Sequence, residues 1–391
     1  MRPVKISSNS AASDRDFGAI EVDARAICHV ARGCFSILLA ALFLHHSSEE
    51  TRSGMHIEED SIDDLLNRVY SELLSVGNVV PTSKGETAEC MGVVLRLKDP
   101  RARLSASETR LKLFSALGEL VWYLSGSDDP AFISHYISWY RDAKLDAEGR
   151  MPGAYGPRLF GASPYDQFNK VVRLLKERPT TRRAVIQLYR AEDLETSLSA
   201  GSGEDRLEVP CTCTLQFLIR GGLLHLIVYM RSNDAYLGLP HDVFCFTMIQ
   251  ELVARAVGAE IGSYAHCVGS LHLYEGNRSA AGQYLGEGWH TTSAMPPMPA
   301  GDQMDNVSAL VESERQIRAG DDSSSIELLP PYWKDIGLLL KAHTALVSAS
   351  ADRQQEILQN TREHVACEAY KRYLLDREHA IAGVGTGEKN R

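Results

Sequence analysis

Residues 209–242 read VPCTCTLQFLIRGGLLHLIVYMRSNDAYLGLPHD, and this stretch decides the fold. Two runs, residues 214–219 and 223–230, are rich in β-branched and large apolar side chains and flank Gly221-Gly222. That pattern predicts two antiparallel strands joined by a two-residue turn, because glycine reaches the positive φ angles such turns need. A lone cysteine behind a proline, Pro210-Cys211, opens the hairpin, and a dense polar cluster, Arg231-Ser232-Asn233-Asp234, closes it. A Leu-Gly-Leu-Pro turn then delivers Asp242 just before a long apolar helix expected over residues 244–257, with Gly258 after it.

Outside this stretch, apolar residues recurring at three- and four-residue steps predict helices over residues 57–76 and 107–124, the second with Ser107 as N-cap and Gly126 as stop. Residues 183–189 and 266–274 read as further strands. From residue 296 to 325, Pro, Gly, Asp and Ser dominate, which suggests a surface loop or linker. Two helices are expected after it, over residues 333–348 and 352–379, and the tail 383–391 reads as disordered. The chain therefore divides into an N-terminal extension (1–54, disordered or mis-started), a main domain (55–295), a loop (296–325) and a C-terminal helical extension (326–391).

The 391 residues are 44% hydrophobic and 24% charged, which is the balance of a soluble globular protein. A net charge of −10 argues against a nucleic-acid partner, which needs a basic face, but leaves room for a small anion held by local arginines. None of the eight cysteines is in CxxC spacing, so no zinc or redox site is expected, and reduced thiols in a cytoplasmic compartment are the default for so long a chain. The apolar run 35–44 is too short to span a bilayer, and the acidic residues ahead of it do not suit a signal peptide. No metal and no membrane partner are expected.

Each candidate site residue has an ordinary alternative. Cys211 is a candidate nucleophile with Arg231 on the neighbouring strand, though most lone cysteines are buried small hydrophobes. Arg182-Arg183 and Arg231-Ser232 supply the guanidinium forks and hydroxyl that a phosphomonoester needs, though paired arginines are commonly solvated surface. Glu119 falls mid-helix among apolar residues, where a carboxylate must be paired or keep its proton, unless it lies at the edge of the face. His272 and Tyr274 point to one side of a strand and suit sugar hydroxyls. Asp242 stands where a helix N-cap belongs, and taken alone the cap is the stronger reading.

Together, in this order and spacing, residues 80–280 resemble the thymidylate synthases and the related pyrimidine-nucleotide hydroxymethylases. Pro210-Cys211 with Gln216-Phe217 is similar to that family's nucleophile strand, RSNDAYLGLP (231–240) to its phosphate and pterin motif, and His-Leu-Tyr (272–274) to its sugar-binding strand. GELVWYLSG (118–126) resembles its catalytic-glutamate helix, AYG (154–156) its active-site tyrosine loop, and TRRAV (181–185) the arginine pair that reaches a partner subunit's phosphate. The resemblance implies an α+β fold: a large twisted mixed sheet, helices on one face, in a sheet-to-sheet homodimer. It implies a pyrimidine nucleoside monophosphate and 5,10-methylenetetrahydrofolate as substrates. Cys211 would add to C6 of the base so that C5 attacks the one-carbon unit, with Glu119 and Tyr155 organising protons and water. Arg231, Ser232 and Gln216 would bind nucleotide with Arg182 and Arg183 of the other subunit, and His272 and Tyr274 would hold the ribose. Glu119, Asp234, Gly238 and Trp139 would lie against folate.

The departures carry the specificity. Asp242 stands where the family normally has the asparagine that reads uracil, and in this it resembles the cytidylate hydroxymethylases, which use water as the last reagent. A carboxyl group pairs with cytosine N4–H2 and, sharing one proton, with N3, while uracil O4 would face a second acceptor. The implied reaction is C5-hydroxymethylation of dCMP, or of CMP, with dUMP methylation as the alternative. Thr212 replaces a histidine after the nucleophile, His241 an aromatic residue beside folate, Ser270 an aspartate before His-Leu-Tyr, and Lys84 a phosphate-contacting arginine. The short apolar C-terminus that closes over folate in the family is absent.

Overall fold

The computed structural model describes residues 54–75, 79–82, 85–107, 112–161, 166–199, 207–290, 294–321 and 325–386. All belong to one compact unit spanning Arg52–Arg391. The apolar run 35–44, most of the expected N-terminal extension, and Lys84 lie outside the described residues.

Strands β1 (His56–Glu59), β2 (Val79–Thr82), β3 (Gly85–Leu97), β4 (Val185–Gln187), β5 (Thr212–Arg220), β6 (Leu223–Asp234) and β7 (Glu260–Tyr274) form one mixed sheet in the order β1-β3-β7-β6-β5-β4, with β2 on β3. The central hairpin is as expected: β5 and β6 are antiparallel, and Gly221 and Gly222 turn it with φ of 57° and 80°. The strands run longer than their apolar cores, because ladder pairing continues through polar residues. Thus β6 extends through the Arg231–Asp234 cluster, and β7, parallel to it, sets Ser232 beside Ser270 and Asp234 beside His272.

One face of the sheet is the core. Leu215, Phe217, Leu224, Leu226, Val228, Tyr264, Val268 and Leu271 are buried there, and helices α1 (Ile62–Ser75) and α7 (Leu239–Val257) pack over strands of the sheet. The register row Val94–Cys267–Tyr229 lies on the opposite side, half-buried to exposed, with Tyr229 at 45%. The remaining helices are α2 (Leu113–Leu124), α3 (Pro130–Tyr136), α4 (Gly156–Leu159), α5 (Gln167–Glu177), α6 (Ala191–Ser199), α8 (Arg278–Gly286), α9 (Met304–Arg318), α10 (Pro331–Val347), α11 (Ala351–His364) and α12 (Glu368–Thr386).

Four expectations change. The segment expected as helix from residue 57 starts with β1, which pairs with β3 before α1 begins. Helix α2 begins at Leu113 with Lys112 in the capping position, so Ser107 is not its cap. The stretch expected as linker holds α9, whose Val307 and Leu310 are buried, so apolar spacing outweighs its loop-like composition. The last expected helix is two, α11 and α12, broken at residues 365–367, where Asp335 accepts from the N–H groups of Ala366 and Cys367. Helix α12 also runs into the tail expected as disordered.

Candidate active site

The hairpin end presents the candidate nucleophile, Cys211. A register shift between Thr212 and Thr214 loosens the start of β5, and the Arg231 N–H donates to the Cys211 carbonyl at 2.9 Å. The Arg231 guanidinium donates to the carbonyls of Pro210 (3.0 Å) and Val209 (3.3 Å), and its Nη2 lies 3.7 Å from the Cys211 Sγ. A half-buried thiol with a guanidinium donor beside it is the setting in which a cysteine acts as nucleophile. Burial instead pushes the thiols of Cys213, Cys245 and Cys267 up, as suits ordinary packing cysteines.

Tyr155 sits directly behind the nucleophile. Its hydroxyl oxygen accepts from both the Thr212 N–H (3.1 Å) and the Thr212 Oγ1 (3.0 Å), so its own proton is left to donate outward. Thr212 thus has a defined task at the position where the resemblance predicted a histidine. Burial, then the nearby Cys211 and Asp242, hold the Tyr155 hydroxyl well above its ordinary range.

Helix α2 carries Glu119 into the same space. Gly118 allows this, since a Cβ there would lie 2.1 Å from the Tyr136 side chain. Glu119 is 7% exposed, which excludes the helix-edge alternative, and Tyr123 donates to its Oε1 at 2.7 Å. Burial raises its carboxyl from 4.5 to about 7, against the opposing pull of the Tyr123 hydrogen bond. A carboxyl so poised can give or take a proton near neutrality. Tyr140, which sequence reasoning missed, is held well above its ordinary range by burial and then by Glu119, Tyr155, Glu208 and Asp242.

Asp242 is not a helix cap. Helix α7 begins five residues earlier than expected, with Gly238 at the capping position, and the Asp242 N–H already donates to the Gly238 carbonyl at 2.9 Å. Its side chain points inward, 9% exposed, and Asn233 Nδ2 donates to Oδ2 at 2.7 Å. Burial, then Glu119, push the Asp242 carboxyl well above the usual carboxylate range. Two buried carboxyls without a cation between them favour holding protons. Gly238, expected against folate, has a visible structural duty: a Cβ there would come within 2.9 Å of Asn233 Nδ2 and 3.4 Å of Asp242 Oδ2.

The sheet brings the other residues alongside. His272 and Tyr274 stand on one side of β7 with ring centroids 5.0 Å apart, edge to face. Glu89 on β3 faces His272 and accepts from Ser270 Oγ, so a neighbouring strand supplies the carboxylate that Ser270 lacks. Asp234 Oδ1 accepts from the N–H groups of Tyr236 (2.8 Å) and Leu237 (3.0 Å), so this carboxylate also holds the turn before α7.

Three sets of expected residues are not gathered at Cys211. Gln216 lies on the uncovered side of the sheet, in register with Ile227, and donates to the Arg182 carbonyl at 3.0 Å. It lies five residues from Cys211, about 16 Å at the rise of a strand. Arg182 and Arg183 are exposed ahead of β4, where Ala184 bonds Phe217. Phe217 is six residues from Cys211, about 20 Å at the rise of a strand. Trp139 is 51% exposed and stacks on Tyr140 with centroids 3.8 Å apart.

The C-terminal extension packs beside the start of α7, where Ala369, Arg372 and Tyr373 of α12 line a cleft with Lys112, His241 and Phe244. His241, at the position expected beside folate, lies 2.9 Å from Ser115 Oγ of α2. Among the described residues no cluster of three His, Cys, Asp or Glu side chains is arranged to hold a metal ion, and no helix is long and apolar enough to cross a membrane.

The family model for thymidylate synthase matches residues 67–315. Among solved structures, thymidylate synthase from T4 phage is similar at 21% identity and a TM-score of 0.49, over 59% of this chain and 82% of that one.

Proposed function

Because the chain belongs to the thymidylate synthase family, whose members transfer one carbon to C5 of a pyrimidine nucleotide from methylenetetrahydrofolate, we propose that it hydroxymethylates a cytidine 5′-monophosphate, dCMP first and CMP second. One observation carries this reading: the family's base-reading position is a buried carboxyl, Asp242, held toward the site by Asn233 and relieved of any capping duty. A protonated carboxyl offers one donor and one acceptor on a single edge, which matches cytosine N3 and N4–H2. With its proton fixed on the oxygen that meets N3, a site built on such pairing can discriminate by about 10⁴.

In this reading Cys211 adds to C6, with Arg231 beside the sulfur. The folate supplies the one-carbon unit. Tyr155 and Glu119 handle the proton lost from C5, tetrahydrofolate departs to leave an exocyclic methylene on C5, water adds to that methylene, and the C6–S bond then breaks to free Cys211. Lys112, His241 and Arg372 line the cleft that suits the anionic, aromatic body of folate. Arg231 and Ser232 hold the phosphate, and His272 and Tyr274 the sugar. The partner subunit completes the site in a sheet-to-sheet homodimer. This is supported by the exposed apolar face around Tyr229, and by Arg182 and Arg183 lying too far from Cys211 to serve their own site.

A second reading, methylation of dUMP, draws on the same protonated carboxyl, since moving its proton to the other oxygen lets it meet uracil. Incubation with methylenetetrahydrofolate and dCMP, CMP or dUMP separates the two. Tritium release from C5 of the cytidylates without dihydrofolate absorbance is expected. Release from dUMP alone would end the cytosine reading, and dihydrofolate formation would end the hydroxymethyl one.

A further inference from the structure

Behind Asp242 runs a chain of buried polar groups that the reaction does not itself use. Asn233 Oδ1 lies 3.0 Å from His266 Nε2, and His266 Nδ1 lies 2.6 Å from the Tyr264 hydroxyl. Tyr264, His266 and Asn233 are 1%, 0% and 4% exposed. Two strands and a helix supply the members: β7 gives Tyr264 and His266 on one face, β6 gives Asn233, and α7 gives Asp242.

The chain has a direction. Tyr264 has no other hydrogen-bond partner among the described residues, and a buried hydroxyl proton left without an acceptor is costly. Tyr264 therefore donates to His266 Nδ1. Burial holds His266 neutral, its ring lowered to about 3, so its single proton sits on Nε2 and is donated to Asn233 Oδ1. That orients the amide with its NH2 toward Asp242 Oδ2. The reverse polarity would strand the Tyr264 proton and require one on Oδ2.

We propose that Tyr264, His266 and Asn233 are specificity-positioning residues: their one-way chain makes Oδ2 of Asp242 the carbonyl-like acceptor, places the acid proton on Oδ1, and so biases the site toward cytosine. The inference rests on the cytosine reading and adds to it that Oδ1 meets N3 and Oδ2 meets the N4 amine. A carboxylic acid alone is indifferent, because its proton can sit on either oxygen and suit either base. Asn233 removes that indifference, since the N–H it offers favours the better acceptor, the unprotonated oxygen. Gly238 is part of the same device, its missing Cβ leaving room for the Asn233 amide.

The test is the ratio of dUMP to dCMP dissociation constants, measured by calorimetry with each nucleotide alone. Tyr264→Phe keeps the ring and releases the polarity, so the ratio should fall about tenfold, one hydrogen bond's worth. His266→Phe should lower it at least as far. His266→Gln, whose amide accepts from Tyr264 and donates to Asn233, should hold it within about threefold. Ratios unchanged in Tyr264→Phe and His266→Phe overturn the proposal, as does a glutamine variant no better than the phenylalanine one. A ratio is insensitive to lost folded protein, and Tyr264→Phe stands alone if His266→Phe fails to fold. Wild-type protein that binds dUMP and not dCMP removes the cytosine reading and this inference together. Wild-type preference for dCMP with insensitive variants removes this inference only.

Discussion

The two ends of the site work by opposite physics. At the Cys211 end the groups are half-buried to exposed, and a guanidinium beside the sulfur and a hairpin backbone do the positioning. At the Asp242 end every group is buried, and burial raises Glu119 and Asp242. The open end handles charge in the presence of water, where an arginine suits both a thiol and a phosphate. The dry end favours carboxyls that keep a proton and donate it, through desolvation first and the proximity of Glu119 to Asp242 second. In the proposed reading, activation of the nucleotide and choice of base fall to separate environments.

Four substitutions probe that division. The largest effect is expected from Cys211→Ser, which should lower kcat on the order of 10⁵-fold or more while leaving nucleotide binding intact, as measured by tritium release and calorimetry. Retained turnover would mean that the open end does not supply the nucleophile. Asp242→Asn comes next and should shift the kcat/KM ratio toward dUMP on the order of 10³-fold. An unmoved ratio would leave Asp242 as a structural residue.

Glu119→Gln tests desolvation directly. A carboxyl raised from 4.5 to about 7 keeps in the native state a proton that the unfolded chain has released. Its contribution is fully present below 4.5 and is lost as pH rises through about 7, a fall of roughly 3 kcal/mol. Urea unfolding between these pH values should show this slope in the wild type and a flatter one in the variant. Identical slopes would show that Glu119 is not desolvated. The smallest effect is expected from Gly238→Ala, which should cost about 1–2 kcal/mol in the same assay by crowding Asn233, and should weaken base choice without changing Cys211 reactivity.

Part of this was legible in the chain itself. The hairpin and the polar cluster at its end follow from alternation and turn glycines, which are local rules. The Cys211–Arg231 contact and the burial of Glu119 were open in the chain and were decided by packing. Asn233, Tyr264, His266, Tyr140 and Glu89 were not singled out, although a histidine on the buried side of β7 was a signal that could have been followed. The cap alternative for Asp242 falls because α7 starts earlier, at Leu239; proline is compatible with the first turn of a helix and does not end one there. Gln216 was expected at the nucleotide from the resemblance of the segment it shares with Pro210, Cys211 and Phe217; the fold sets it against the Arg182 carbonyl, a contact between distant stretches that no local rule announces.

The sequence by itself determined the elements and the chemical inventory: a strand hairpin, a nucleophile, arginines, two carboxyls at telling positions. Tertiary structure alone decided which of them are dry, and what each dry group faces. Desolvation is a property of packing from every side, and the Asn233–His266 contact joins residues 33 positions apart on neighbouring strands. A carboxylate is written in the chain at residue 242; how far burial raises it, and what its oxygens face, depends on the helix, the two strands and the glycine that close around it.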